Sequence, residues 1–426
     1  MANQAPAYAP KSAALRALLE RGYFDTASDI EAIDAAFAAG MVTFYIGFDP
    51  TASSLHAGSL VQLMAMRLLQ RHGHRPIAIL GAGTAMIGDP SGKSEMRKIL
   101  SPEAITANGE GIKAQFAKLL TTDAGADNDA LFLDNRDWLT GLRYIEFLRD
   151  IGRHFTVNRM IAVKTYRDRL DAEIPLSFLE FNYQLLQAFD FLQLYKAHGC
   201  TLQLGGSDQW GNIVAGVELI RRVMSEEEQS GAAFGMTLPL LTTADGKKMG
   251  KTERGAVWLD PERVSPFDYY QYWVSCDDRD VGKLLRMYTD LPIEEIDALT
   301  KVEGAAINCA KSRLAFEATR LLHGEEEADK AAKAAKQAFG GGGDWSAVPC
   351  VALTESELRL VDLVTHPDIA AFKSKREARQ RIEGGAVKVD GEVVTDAKAT
   401  IGGSEELRLQ AGKKIRLRVV FGQASC

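Results

Sequence analysis

Two segments of the chain carry residue types suited to a phosphate-bearing ligand. The first is YIGFDPTASSLHAGS, residues 45–59, a loop of small residues that feeds directly into a helix. The first N–H groups of a helix have no partners inside it and point out of its end, which makes such a junction an anion site. Gly47 and Gly58 let a large planar or phosphate-bearing group approach the backbone, and His56 can donate to a phosphate oxygen. An ordinary local bond at a helix start is the competing reading of that histidine. The second segment is DGKKMGKT, residues 245–252, where glycines flank closely spaced lysines. A pliable loop presenting ammonium groups suits a leaving group whose charge grows during reaction. Alone, the same turn is also a solvated surface. No GxxxxGK[ST] run is present, so a P-loop kinase or GTPase is not indicated.

A third set is polar without being basic. Tyr183, Gln187 and Asp190 stand at i,i+4 and i,i+3 spacings, so one helix face can present all three. An acid there can meet a phenolic donor, while Asp89, in GDPSGK at 88–93, can offset an ammonium charge. That segment is also plain turn chemistry, and it gains meaning by following a strand.

The elements that must hold these residues have an α/β pattern. MVTFYIGF (41–48) reads as a strand and is followed by a helix whose face carries Leu60, Leu63, Met64, Leu68 and Leu69. RPIAILG (75–81) reads as the next strand, and TLQLGGSDQWGN (201–212) repeats the strand-to-helix theme. Segments 12–21, 141–153 and 179–198 read as helices. The fold class expected is α/β: a parallel-sheet, Rossmann-like nucleotide-binding domain, with ligands at the carboxyl ends of its strands. A catalytic domain over 1–260, a helical domain over 261–339, a flexible linker over 340–357 and a small α+β module over 358–426 follow from the shifts in pattern. The glycine run at 340–343 marks the joint.

Composition narrows the class further. The 426 residues are 46% hydrophobic and 25% charged, with no apolar run long enough for a membrane span. The opening segment does not read as a secretory signal. Five cysteines, at 200, 276, 309, 350 and 426, form no close pair. They argue against a disulfide scaffold or zinc site and fit a reducing compartment. No metal site is expected. The net charge is −7, yet from Ala371 onward twelve Lys and Arg face seven Asp and Glu, leaving −12 on the rest. A basic tail on an acidic body suits a local polyanion site.

Five segments in order, YxGFDPTAxSLHxG, GDPSGK, YQLLQAFD (183–190), GGSDQWGN (205–212) and DGKKMGKT, resemble the bacterial-type tyrosyl branch of the class I aminoacyl-tRNA synthetases. The resemblance covers roughly 12–422. It implies that Thr51 and His56 contact ATP phosphates, with Gly47, Asp49, Gly58 and Ser59 beside the nucleotide. Lys93, Arg97, Lys248, Lys251 and Thr252 would gather at the pyrophosphate end. Asp208 would hold the ribose and Gln209 the amino-acid carboxylate. Asp89, Tyr183 and Gln187 would take the α-ammonium, and Tyr45 with Asp190 the phenol oxygen. The family motif commonly ends in a second histidine where this chain has Ser59. The tail resembles an S4-like RNA-binding domain, with Lys373, Lys375, Arg376, Arg379, Arg381 and Lys388 placed to meet a tRNA backbone. A charged helix solvating its own domain is the competing reading.

What the resemblance implies is a cytoplasmic homodimer that uses ATP as a substrate, with Mg²⁺ carried by the nucleotide. It would activate L-tyrosine and transfer it to tRNA(Tyr), with no membrane and no DNA involved. A tryptophan-specific relative and a noncatalytic RNA-binding relative stay open.

Overall fold

Thr43–Phe48 (β2) is the strand on which the site is built, and all of its residues but Gly47 are buried. Such continuous burial belongs to a parallel strand covered on both faces. The structure is a computed structural model that describes residues 8–91, 100–226, 232–246, 249–252, 255–302, 304–339, 348–403, 406–412 and 415–422. Around β2 lie Thr26–Ala27 (β1), Arg75–Leu80 (β3), Leu131–Asp134 (β4), Cys200–Gly206 (β5) and Phe234–Leu238 (β6). Their order is β1-β6-β5-β2-β3-β4, with every pair parallel except β1 with β6. The chain runs outward from β2 through β3 to β4, then crosses to β5 on the other side of β2. That reversal opens a crevice at the carboxyl ends of β2 and β5, the usual ligand position in such a sheet.

Local chemistry sets the helices. Ala13–Arg21 (α1) starts where the Ser12 side chain accepts from Leu15 N and stops at Gly22, which takes φ +81°. Ala57–Arg71 (α2) follows His56 directly. Pro102–Leu119 (α3) has Ser101 as its cap and proline at its first position. Tyr183–His198 (α4) and Trp210–Glu226 (α5) cover the sheet near β5. Phe191, Leu192, Leu219 and Ile220 join Tyr45, Ile77 and Ile79 in one buried cluster.

The first compact unit does not end at residue 260. Besides Met1–Gly250 and Trp258–Asp260, it takes in Arg279–Lys301. Helix Val281–Tyr288 buries Leu284, Leu285, Met287 and Tyr288. Arg21 donates to the carbonyls of Arg286, Thr289 and Leu291 at 2.9, 2.8 and 2.6 Å. Arg67 meets Asp290 at 2.8 Å, and the Tyr288 hydroxyl donates to Ala57 O at 3.0 Å. The sequence shows that this helix has an apolar face, but not that the face returns to the first unit.

The second unit comprises Lys251–Val257, Pro261–Asp278 and Val302–Cys426. Its helices include Pro266–Val274, Ile307–His323 and Glu325–Phe339. A five-stranded sheet is built from Glu392–Val393, Val387–Val389, Leu407–Ala411, Ile415–Phe421 and Cys350–Leu353, in that spatial order. Strands Val387–Val389 and Glu392–Val393 form a hairpin that turns at Asp390 and Gly391, both at positive φ (50° and 91°), as a two-residue turn requires. Leu353, Leu360, Leu363, Ile382, Leu409 and Val419 fill the core. Cys350–Leu353, inside the stretch expected as linker, is a strand parallel to Ile415–Phe421. Among the described residues Cys200, Cys276 and Cys309 are free. The glycine run 340–343 lies outside the described residues.

Candidate active site

The loop after β2, the start of α2, the first turns of α4 and the end of β5 converge on a cavity of about 380 Å³. Tyr45, Gly47, Asp49, Thr51, His56, Ser59, Asp89, Tyr183, Gln187, Asp190, Asp208 and Gln209 all line it. These residues come from four separate stretches of sequence.

At one end the side chains of Tyr45 and Asp190 are almost fully buried, with 2% and 4% exposure. Asp190 accepts from Asn135 Nδ2 at 3.0 Å and from Trp138 Nε1 at 2.7 Å. Asn135 is itself fixed, since its Oδ1 accepts from Gly83 N at 2.7 Å. Burial, with a smaller push from the charge of Asp49, raises the Asp190 carboxyl to about 7 against the downward pull of the two donors. Burial and the neighbouring Asp190 hold the Tyr45 phenol well above its ordinary value, so it stays an O–H donor. That hydroxyl finds no hydrogen-bond partner among the described residues. A buried donor left unmade costs roughly 1–3 kcal/mol.

The middle of the cavity is a set of interlocked acids and amides. The Tyr183 hydroxyl donates to Asp49 Oδ2 at 3.1 Å, and Thr84 Oγ1 donates to Asp49 Oδ1 at 2.8 Å. Only glycine fits at position 81, because a Cβ there would lie 2.2 Å from Asp49 Oδ1. Asp49, read from sequence as a nucleotide contact, is thus fastened to Tyr183. Asp89 accepts from Gln209 Nε2 at 2.7 Å and from Ser91 N at 2.8 Å. Asn212 Nδ2 donates to both Gln187 Oε1 and Gln209 Oε1 at 3.1 Å. Sequence reading missed Asn135, Trp138, Thr84 and Asn212. Asn212 stood inside the quoted GGSDQWGN and was the one with a visible signal.

At the opposite end His56 occupies the cap position of α2. Its Nδ1 accepts from Ser59 N at 3.2 Å. A ring nitrogen that accepts carries no proton, so in the neutral ring the proton sits on Nε2. The backbone of Ser59, available from any residue, sets that tautomer; the Ser59 hydroxyl is 3.4 Å from the same nitrogen. Gly58 lies against the lysine segment, since a Cβ there would fall 2.9 Å from Met249 O. A Cβ on Gly250, which takes φ +83°, would fall 2.4 Å from Gly58 N. The two signature segments meet backbone to backbone through these glycines.

Lys93, Arg97 and Lys248 lie outside the described residues. For Lys251 and Thr252 the backbone is a short strand paired with Gly255–Ala256. In the tail, Lys373, Lys375, Arg376, Arg379 and Arg381 are exposed, and Lys388 is half-buried on strand Val387–Val389. Lys375 pairs with Asp362 at 2.6 Å, so part of its charge is met within the domain. Among the described residues, no group of three or more His, Cys, Asp or Glu is placed to hold a metal ion. Among them, too, no helix is long and apolar enough to cross a membrane.

Comparison with known proteins agrees with this geometry. The family described as tRNA synthetases class I (W and Y) matches residues 38–340, and the tyrosine–tRNA ligase SYY-like C-terminal domain matches 343–412. The tyrosine–tRNA ligase of Novosphingobium aromaticivorans is 50% identical over 404 residues, covering 95% of this chain and 97% of its own. That of Caulobacter sp. (strain K31) is 50% identical over 412 residues, covering 95% and 96%. The crystal structure of a C-terminally truncated mitochondrial tyrosyl-tRNA synthetase from Aspergillus nidulans superposes with a TM-score of 0.69. It is 30% identical and covers 77% of this chain and 94% of its own. With its sheet, its paired signature segments and its tail all matched, the chain belongs to the class I tRNA synthetases, in the bacterial-type tyrosyl-tRNA synthetase family.

Proposed function

We propose that the chain is a tyrosine–tRNA ligase working in the cytoplasm as a homodimer, and that the cavity is where tyrosine and ATP react. What supports the choice of amino acid is one pairing, a buried Tyr45 hydroxyl without a partner among the described residues beside a buried Asp190 carboxyl. A phenol can donate to the carboxyl and accept from the tyrosine hydroxyl. An indole N–H can only donate, which would leave Tyr45 unmet. The pairing therefore favours tyrosine over tryptophan.

In this reading Asp89, Tyr183 and Gln187 receive the α-ammonium, and Gln209 lies beside the carboxylate. A carboxylate oxygen of tyrosine attacks the α-phosphorus of ATP, and the bond to the bridging oxygen of pyrophosphate breaks. Tyrosyl-adenylate forms and pyrophosphate leaves. The terminal adenosine hydroxyl of tRNA(Tyr) then attacks the activated carbonyl, and AMP departs. His56, Thr51 and the start of α2 face the phosphates, Asp208 the ribose, and Lys93, Arg97, Lys248, Lys251 and Thr252 the leaving group. Mg²⁺ enters bound to the phosphate oxygens of ATP. The protein supplies position and charge stabilisation more than proton transfer. ATP–pyrophosphate exchange measured with each amino acid tests the assignment: exchange with tyrosine is the expected result, and exchange with tryptophan alone would sink it.

Support for a dimer comes from the first unit, where Tyr144, Ile145, Val157, Leu170 and Phe178 expose 49–73% of their area. Large apolar side chains left exposed in this stretch offer apolar surface on which a second copy would pack. Replacing Ile145 and Phe178 together by Asp is expected to convert the protein from dimer to monomer in sedimentation velocity. A wild-type protein that sediments only as monomer at working concentration would end the proposal.

A further inference from the structure

Helix Val281–Tyr288 begins at Asp280, a residue type whose usual task at that position is to accept from the first N–H groups of its own helix. Here the side chain makes no such bond. Its Oδ2 accepts instead from Ala244 N at 2.8 Å, thirty-six residues earlier, in the stem of the lysine segment. Asp280 is 8% exposed, so the bond is sheltered. Two weaker contacts flank it: Arg279 meets Asp245 at 3.0 Å, and Lys283 Nζ lies 3.5 Å from Thr242 O. The first is an exposed ion pair, a kind that contributes little. Within the stem, Gly246 N donates to Thr243 O at 2.8 Å and Met249 N donates to Leu241 O at 2.9 Å. Among the described residues, the stem is thus held from outside by the Asp280 carboxylate and, more weakly, by Arg279 and Lys283.

We propose that Asp280 is a positioning residue for adenylate formation, acting through Ala244 to aim the lysine segment. The inference rests on the function proposed above, in which Lys248 and Lys251 stabilise departing pyrophosphate. Those charges are needed only in the transition state, so a loosened stem slows the chemical step and leaves tyrosine binding alone. A displacement of about 1 Å in a charge-stabilising group can cost up to about 10²-fold, and the flanking contacts hold part of the geometry. Loss of the buried acceptor alone should therefore cost about ten-fold.

The test is pre-steady-state adenylate formation, with tyrosine Kd and Tm measured on the same full-length samples. Asp280→Ala is expected to slow adenylate formation about ten-fold with tyrosine Kd unchanged and with only the loss of Tm that one unmet N–H brings. Asp280→Asn keeps an acceptor oxygen and should stay within about three-fold of wild type. Should the alanine variant not fold, Asp280→Glu moves the oxygens outward by one methylene and should show the same split between rate and tyrosine affinity. An unchanged rate would overturn the proposal. So would equal losses in the Ala and Asn variants, or a rate loss matched by losses in tyrosine affinity and Tm. If the wild-type protein shows no tyrosine-dependent exchange, the functional reading itself fails, whereas a wild-type rate in a folded Asp280 variant removes only the positioning role.

Discussion

Asp190→Asn lowers kcat/KM for tyrosine activation by about 100-fold and narrows the preference for tyrosine over phenylalanine by a similar factor. A hydrogen bond to a charged group is worth roughly 1.5–3 kcal/mol, and phenylalanine has no hydroxyl with which to lose it. For this family discrimination of about 10⁵-fold between the two amino acids is the established scale, taken as given. Tyr45→Phe removes a neutral bond and should cost only about five-fold. Steady-state activation of both amino acids by both variants decides the matter, and a full tyrosine-to-phenylalanine ratio in Asp190→Asn would show that another group reads the hydroxyl. The same carboxyl also leaves a mark on stability. Its pKa is about 7 when folded and near 3.8 when exposed, so the folded state binds this proton more tightly. The stabilising contribution is full below about pH 4 and is lost as pH rises through 7. The ligand-free wild type should therefore lose stability relative to Asp190→Asn between pH 5 and pH 8. Urea unfolding at the two pH values measures that slope, free of the constant cost of turning an amide toward Asn135 and Trp138.

The second large effect belongs to the lysine segment. Lys248→Ala and Lys251→Ala should each slow adenylate formation by roughly 10²-fold, the usual loss when a group aimed at developing charge is removed. Tyrosine affinity should hold, because the free amino acid carries nothing that those ammonium groups bind. Stopped-flow adenylate formation at saturating tyrosine is the measurement. Near-wild-type rates in both variants would take the leaving-group role away from this loop.

Residues that announce themselves by local pattern were legible without coordinates. His56 before an apolar helix, Tyr183, Gln187 and Asp190 on one helical face, and the strand 41–48 all follow from spacing and turn chemistry. Cavity lining shared by four stretches of sequence, and the family itself, followed from those motifs taken together. What stayed hidden depends on which distant segments meet. Asn135 and Trp138 sit just after β4 in a stretch with no motif, and only the sheet order brings them to Asp190. The resemblance put Asp49 beside the nucleotide, and nothing in its own stretch of sequence shows what holds it there. It is held by Thr84, from the short helix Ala82–Ala85 after β3, and by Tyr183, from α4. Helix Val281–Tyr288 shows an apolar face in its sequence, but an apolar face does not name the surface it covers.

That last helix has a consequence for synthesis on the ribosome. Arg21 waits for carbonyl groups as far as 270 residues downstream, and Arg67 waits for an acid 223 residues on. At about 5–20 residues per second, the first helix emerges roughly 15–50 s before the chain that completes it. The first unit is therefore a high-contact-order assembly, which must hold α1 and α2 with their polar edges unmet while a further 270 and 223 residues, respectively, are made. A nascent chain halted near residue 260, although it would carry every strand of the large sheet, would still lack the segment that closes its oldest helix.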